Sequence, residues 1–196
     1  MINENFDIEQ IKNKLKNTLN KKRYEHSLRV MECSKMLAEK YDFDIYKAMA
    51  GGLLHDCAKG LEDYYMSKYG IYFNKIKFHD YIDNKAILHA PLGSVVAHYE
   101  FNIQDKDILN SICYHTTGRE NMSILEKIVF IADVIEPERN FDGIDILRKK
   151  ALISLDDALL ATLDLSIKHL INNKKTIHIN SIKCRNYLIL KEANLD

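Results

Sequence analysis

The stretch that decides the reading is Ala48-Met49-Ala50-Gly51-Gly52-Leu53-Leu54-His55-Asp56-Cys57-Ala58-Lys59. An apolar segment delivers an imidazole and a carboxylate, side by side, to its inner end. Burying such a pair is costly unless something compensates the charge. A divalent metal does, and both groups are metal ligands. On a helix, His55 and Asp56 diverge by about 100 degrees, because ~3.6 residues make a turn. They can face different sides of one ion, or Asp56 can span two. Lys59 stands one turn beyond and places a point positive charge near the same pocket. Taken alone, the pair equally reads as a helix C-terminus with a solvated cation after it.

Working outward, His26 lies upstream, and His89, His115 and Asp133 lie downstream, each in apolar sequence. The intervening chain carries a helical period almost throughout. Ile8, Ile11, Leu15 and Leu19 mark a first amphipathic helix. His26, Val30, Cys33 and Leu37 mark a second. Residues 44–58 form a third, in which Gly51 and Gly52 permit close approach of another helix. Leu61–Tyr69 reads as a short tyrosine-rich helix ended by Gly70, and 71–90 as a mixture of loop and helix. Pro91 suits the first turn of a helix running to Phe101. Asp105 or Asp107 caps a helix to Tyr114. Ser123 with Glu126 forms a capping box ahead of the helix that carries Asp133, before Pro137. Helices follow at 143–152, 154–173 and 180–192. The fold class is all-α, an irregular helical bundle.

The bulk numbers bound the function. The chain has 196 residues, enough for one domain with a sizeable core. Lys+Arg and Asp+Glu are both 28, so net charge is zero. That argues against a nucleic-acid or membrane-surface partner, which would require a basic excess. The four cysteines show no C-x-x-C spacing and read as reduced, implying a cytoplasmic protein. The polar start, Met1-Ile2-Asn3-Glu4-Asn5, shows no signal peptide, and no apolar run approaches the ~18 residues that span a bilayer.

The order His26…His55-Asp56…Asp133 resembles the H…HD…D pattern of the HD superfamily of metal-dependent phosphohydrolases. Further phrases sharpen this. They are Tyr24-Glu25-His26-Ser27-Leu28-Arg29-Val30, Ile87-Leu88-His89-Ala90-Pro91-Leu92-Gly93, Tyr114-His115-Thr116-Thr117-Gly118-Arg119 and Ile131-Ala132-Asp133-Val134-Ile135-Glu136-Pro137-Glu138-Arg139. Together they resemble the YqeK family, the bacterial HD-domain symmetrical diadenosine tetraphosphate hydrolases. The resemblance covers residues 18–165, and no motif element is missing. It implies a single HD domain over 1–196, with a core at 18–165 and a helical C-terminal extension at 166–196.

The resemblance also implies two divalent metal ions, with iron as occupant and manganese or another divalent ion able to substitute. One ion would take His26, His55, Asp56 and Asp133. The other would take His89 and His115, with Asp56 bridging, the two lying ~3.5–4 Å apart. Two such ions bring four positive charges against two carboxylates, so an anionic substrate is expected. A metal-bridging hydroxide would attack phosphorus, cleaving diadenosine tetraphosphate to two ADP. Asp56 and Lys59 are the catalytic candidates. Lys59, Thr116, Thr117, Arg119 and Arg139 are the substrate-binding candidates, the arginines by bidentate hydrogen bonds. Arg119 has a rival reading as a surface cation, and Arg139 as an ion-pair partner of Glu136 or Asp142. The rival functions are an HD nucleotidase acting on mononucleotides and a non-catalytic nucleotide-binding module. A homodimer is compatible with all three.

Other residues get plainer readings. His79–Asp80 is a decoy, because no apolar helix carries it inward. His98 is a packing or surface histidine, His169 and His178 match no site phrase, and Tyr64–Tyr72 supplies core or a lid.

Overall fold

The computed structural model describes residues 7–73, 78–82 and 84–193. The amino-terminal reading at Met1–Asn5 therefore lies outside the described residues. These contain eleven helices and no strand: α1 (Ile8–Thr18), α2 (Lys21–Lys40), α3 (Ile45–Leu54), α4 (Glu62–Tyr69), α5 (His79–Ile82), α6 (Lys85–Phe101), α7 (Lys106–Tyr114), α8 (Ile124–Ile135), α9 (Ile144–Ala151), α10 (Leu155–Asn172) and α11 (Ile179–Ala193). None is long and apolar enough to cross a membrane. All four cysteines are buried.

Local chemistry sets the helix starts. Asp7, Asn20, Asp44, Asn84, Asp105, Ser123 and Ser154 each accept a hydrogen bond from a first-turn backbone N–H. Asp105, not Asp107, caps α7. The Ser123–Glu126 capping box is complete in both directions.

The apolar helix α3 lies at the centre, against α1, α2, α7 and α8. Its glycines are what allow this. A Cβ on Gly52 would sit 2.5 Å from Ser34 Oγ and 3.0 Å from the Val30 carbonyl of α2. One on Gly51 would meet Ser111 Oγ of α7 at 2.7 Å and Val129 Cγ2 of α8 at 2.9 Å. Ala48, Leu53 and Leu54 complete the packing with no exposure.

Pro91 departs from the sequence reading. It lies inside α6, not in its first turn, because the helix begins six residues earlier at Lys85. Proline has no N–H to donate and strains the preceding turn. The helix continues because Leu88, His89, Leu92 and Val96 are all buried, so tertiary packing outweighs the missing bond.

The tyrosine segment divides. Tyr65 is buried, while Tyr64 and Tyr72 are more than half exposed. Tyr72 stacks on Tyr99 with ring centroids 4.5 Å apart.

Candidate metal centre

Two helices end in the same way. His55 follows α3, and its Nδ1 donates to the Gly52 carbonyl at 2.7 Å. His115 follows α7, and its Nδ1 donates to the Ile112 carbonyl at 2.8 Å. Each imidazole thus satisfies a last-turn carbonyl that no helical N–H can reach. With Nδ1 carrying the proton, Nε2 is left as a free lone pair. Both helix C-termini also carry partial negative charge toward the site, which favours cations.

His26, from α2, is fixed by a carboxylate instead. Its Nδ1 donates to Glu136 Oε1 at 3.2 Å, and Glu136 is held in turn by Arg29 Nε at 2.7 Å. His89 enters from α6 and Asp133 from the last turn of α8. His26, His55, Asp56, His89 and His115 are buried, and Asp133 is partly so.

These side chains form two halves joined by Asp56. In one half, His26 Nε2 lies 3.3 Å from His55 Nε2 and 3.0 Å from Asp133 Oδ1, and His55 Nε2 lies 3.3 Å from Asp56 Oδ2. In the other, His89 Nε2 and His115 Nε2 are 3.2 Å apart, at 3.1 and 3.5 Å from Asp56 Oδ1. The ligand atoms of His26, His55 and Asp56 fit around one ion, as do those of Asp56, His89 and His115. One carboxylate therefore offers one oxygen to each half.

The chemistry of this donor set fits metal ions. His26 and His55 turn lone pairs toward each other in a buried space, an arrangement that repels unless a cation lies between them. The charges lean the same way. Although burial opposes it, Asp56 is held well below the ordinary carboxylate range by the histidines around it. Asp133 is likewise lowered against burial, by His26 first. His115 is pushed down to about 4 by burial, so its ring is neutral. His55 moves up despite burial, because it faces both Asp56 and Asp133.

The substrate-binding candidates separate. Lys59 Nζ lies 3.4 Å from His89 Nε2 and 3.6 Å from Asp56 Oδ1, at the edge of the cluster. Arg139 reaches Asp133 itself, through Nη2 to Oδ1 at 2.5 Å and Nε to the backbone carbonyl at 2.9 Å. Of its expected ion-pair rivals, Glu136 lies at 3.8 Å. Thr116 Oγ1 is buried without a hydrogen-bond partner among the described residues. Thr117 and Arg119 have other partners. Thr117 Oγ1 shares a hydrogen bond with the Tyr81 hydroxyl at 2.9 Å. Arg119 forks onto buried Glu126 at 2.7 and 2.8 Å, and its Nη1 donates to the Glu120 carbonyl.

Two residues escaped the sequence reading. Arg23 Nη1 donates to Asp56 Oδ2 at 2.5 Å, and Glu136 orients His26. Arg23 stands three residues before His26 on α2, a helical spacing that could have found it. Glu136 was quoted inside the Asp133 phrase, but only the bond to His26 gives it a role. The remaining histidines stay outside the cluster. His79 is exposed beside Asp80, His98 Nδ1 donates to the Ile103 carbonyl, and His169 is exposed next to Asn173.

Residues 23–138 match the HD domain family, and that span takes in the whole cluster. The chain belongs to the HD domain family. Within it, the relatives are of the YqeK type. A symmetrical bis(5'-nucleosyl)-tetraphosphatase of Halalkalibacterium halodurans is 36% identical over 175 residues, covering 89% of this chain and 92% of the relative. One of Staphylococcus aureus is 38% identical over 188 residues, covering 93% and 94%. A crystal structure described as a predicted HD superfamily hydrolase involved in NAD metabolism, from Clostridium acetobutylicum, superposes with a TM-score of 0.86 at 42% identity. It covers 93% of this chain and 97% of that one.

Proposed function

We propose that this HD-domain protein is a metal-dependent hydrolase that cleaves diadenosine tetraphosphate symmetrically into two ADP. The observation that carries the reading is Asp56, whose two oxygens serve the two halves of the histidine cluster. The names of the relatives supply the substrate.

In this reading, His26, His55, Asp56 and Asp133 hold one divalent ion, and His89, His115 and Asp56 hold a second, with iron as the resident metal. When bound, such ions supply Lewis acidity that activates water and draws charge from phosphate oxygens. The chain's own residues do the rest. Glu136 and the Gly52 and Ile112 carbonyls keep the Nε2 atoms of His26, His55 and His115 aimed inward. Lys59, Arg23 and Arg139 ring the cluster with positive charge, suited to the outer phosphates. Lys59 and Asp56 are the groups that meet the reacting phosphoryl. Thr116 offers a hydroxyl with no hydrogen-bond partner among the described residues. Thr117 and Arg119 brace the loop after α7 instead.

The same proposal covers the wider frame: one domain in the cytoplasm, with a dinucleoside polyphosphate as its small-molecule partner. In this reading the domain has its core at 18–165 and a helical C-terminal extension at 166–196, with α10 running through residue 165.

Incubation of metal-loaded protein with diadenosine tetraphosphate tests the reading. ADP as the sole nucleotide product is expected. AMP with ATP means asymmetric cleavage and refutes it, and binding without turnover favours the non-catalytic module.

A further inference from the structure

The turns that follow His55 and His115 are held in different ways. After His55 the chain closes on itself. The Cys57 N–H donates to the Leu54 carbonyl at 3.0 Å, the Lys59 N–H to the Asp56 carbonyl at 3.0 Å and the Leu61 N–H to the Ala58 carbonyl at 3.1 Å. After His115 the Gly118 N–H donates back to the Tyr114 carbonyl at 2.8 Å, and further support comes from α11.

One face of α11 meets this turn. Ser181 Oγ donates to the Thr117 carbonyl at 3.0 Å. Asn180 Nδ2 donates at 3.2 Å to the Tyr81 hydroxyl, which shares a hydrogen bond with Thr117 Oγ1. Cys184 Sγ lies 3.7 Å from Met122 Sδ, and the Tyr187 hydroxyl donates to Asn121 Oδ1 at 3.1 Å. Residues three and four apart on a helix are neighbours, so these side chains form one stripe. The buried side chains of α11, Cys184 and Leu188, belong to it. Arg185 and Lys191 pair instead with Asp164 and Asp156 of α10.

Gly118 shows how closely the turn and the helix fit. It takes the left-handed region at φ +65°, and a Cβ there would sit 3.0 Å from Cys184 Sγ and 3.3 Å from Cys184 Cβ.

The turn matters because of where it starts. His115 is the C-cap of α7, the position at which the helical ladder gives out. The bond from Nδ1 to the Ile112 carbonyl fixes the ring against α7. Where that helix end lies is fixed by the chain that follows it. His115 Nε2 must meet His89 Nε2 at 3.2 Å and Asp56 Oδ1 at 3.5 Å. The partners of His26 and His55, namely Glu136, Gly52, Asp56 and Asp133, all lie within residues 23–138. The helix α11 lies outside that stretch.

We propose that Ser181 and Cys184 of α11 are positioning residues for His115. They pin the Thr117–Gly118 turn, and so set how tightly the Asp56–His89–His115 half holds its ion while leaving the other half alone. By linkage, an ion in that half must in turn hold α11 to the turn. The inference rests on the two-ion reading above.

Manganese titration of metal-free, full-length protein tests it, with the step that His89→Ala removes taken as the dependent half. Ser181→Ala, at an unchanged melting temperature, is expected to weaken that step about 2- to 10-fold, the range for one net hydrogen bond. The other step should not move. Ser181→Thr, which keeps the hydroxyl, should restore the wild-type isotherm, and Lys191→Ala, which frees α11 from α10 only, should leave both steps alone. Hydrogen exchange on the wild type needs no variant to fold. Peptide 179–188 should slow about 2-fold or more as the dependent half fills, and not as the other half does. A natively melting Ser181→Ala that binds both equivalents like the wild type overturns the inference. So does equal weakening of both steps, or exchange in α11 that ignores the dependent ion. If the wild type takes up two equivalents and these results follow, the positioning role alone fails. If it takes up only one, the two-ion reading fails and the inference falls with it.

Discussion

His26 and His55 turn the same ring nitrogen toward each other. Their Nε2 atoms lie 3.3 Å apart, while each Nδ1 is committed elsewhere, to Glu136 and to the Gly52 carbonyl. Two buried lone pairs at that separation call for a cation. Titrating manganese or ferrous iron into metal-free protein should therefore raise its melting temperature in a concentration-dependent way. A metal at a hundred times its dissociation constant adds about 2.7 kcal/mol. Asp56→Ala should abolish most of the gain, since both halves lose an oxygen. An unchanged wild-type melting curve contradicts the metal assignment.

The second half of the cluster separates the hydrolase reading from the mononucleotidase. His89→Ala and His115→Ala each remove a nitrogen that faces Asp56 Oδ1. If two ions act together, each variant should lose nearly all activity while His26, His55 and Asp133 still retain about one equivalent of metal. Metal content and initial rate, measured on the same sample, decide it. A variant that keeps most of its rate points to a one-ion nucleotidase.

Glu136 acts through His26. Glu136→Gln should weaken metal binding or activity about 10- to 100-fold, the usual cost of losing a carboxylate behind a ligating histidine. A metal-binding isotherm reads this directly. Affinity and rate equal to the wild type would show that His26 needs no such support.

Glu100 provides a pH test away from the cluster. Its carboxylate is lowered to about 2 by Lys14 of α1, then by Lys68 and Tyr69 of α4. It thereby ties α6 to both helices, with Lys14 Nζ at 2.8 Å and the Tyr69 hydroxyl at 2.7 Å. A depressed carboxylate binds fewer protons folded than unfolded, so stability rises with pH there. The contribution is complete above about 4.5 and drains away as pH falls toward 2. Denaturant midpoints of wild type and Glu100→Gln should diverge above pH 4.5 and converge below it. Parallel curves across that window refute the link.

Much of the fold was legible because helix periodicity and capping are local. Ser123 with Glu126, Gly70 after Tyr69 and the apolar stripe of α1 each announce themselves within a few residues. Pro91 misled for the same reason. Its local rule marks a helix start, and only burial of the surrounding face overrides it. At the centre, the His-Asp pair and its companion phrases named side chains that the structure gathers together. Arg23 and Glu136 stayed hidden, because an arginine or glutamate on a helix looks like solvated charge until its partner is known. Thr117 and Arg119 looked free for the opposite reason. Their partners are Tyr81, 36 residues before Thr117, and Glu126, seven residues after Arg119 and already engaged in the capping box.

The sequence by itself determined an all-helical chain and the residue types able to bind metal, since both follow from spacing and side-chain chemistry along the chain. Only the tertiary structure decided which oxygen of Asp56 faces which histidines and which arginines remain beside the cluster. Those are distances between segments far apart in sequence. They are set by how the helices pack around Gly51 and Gly52, and no local pattern carries them.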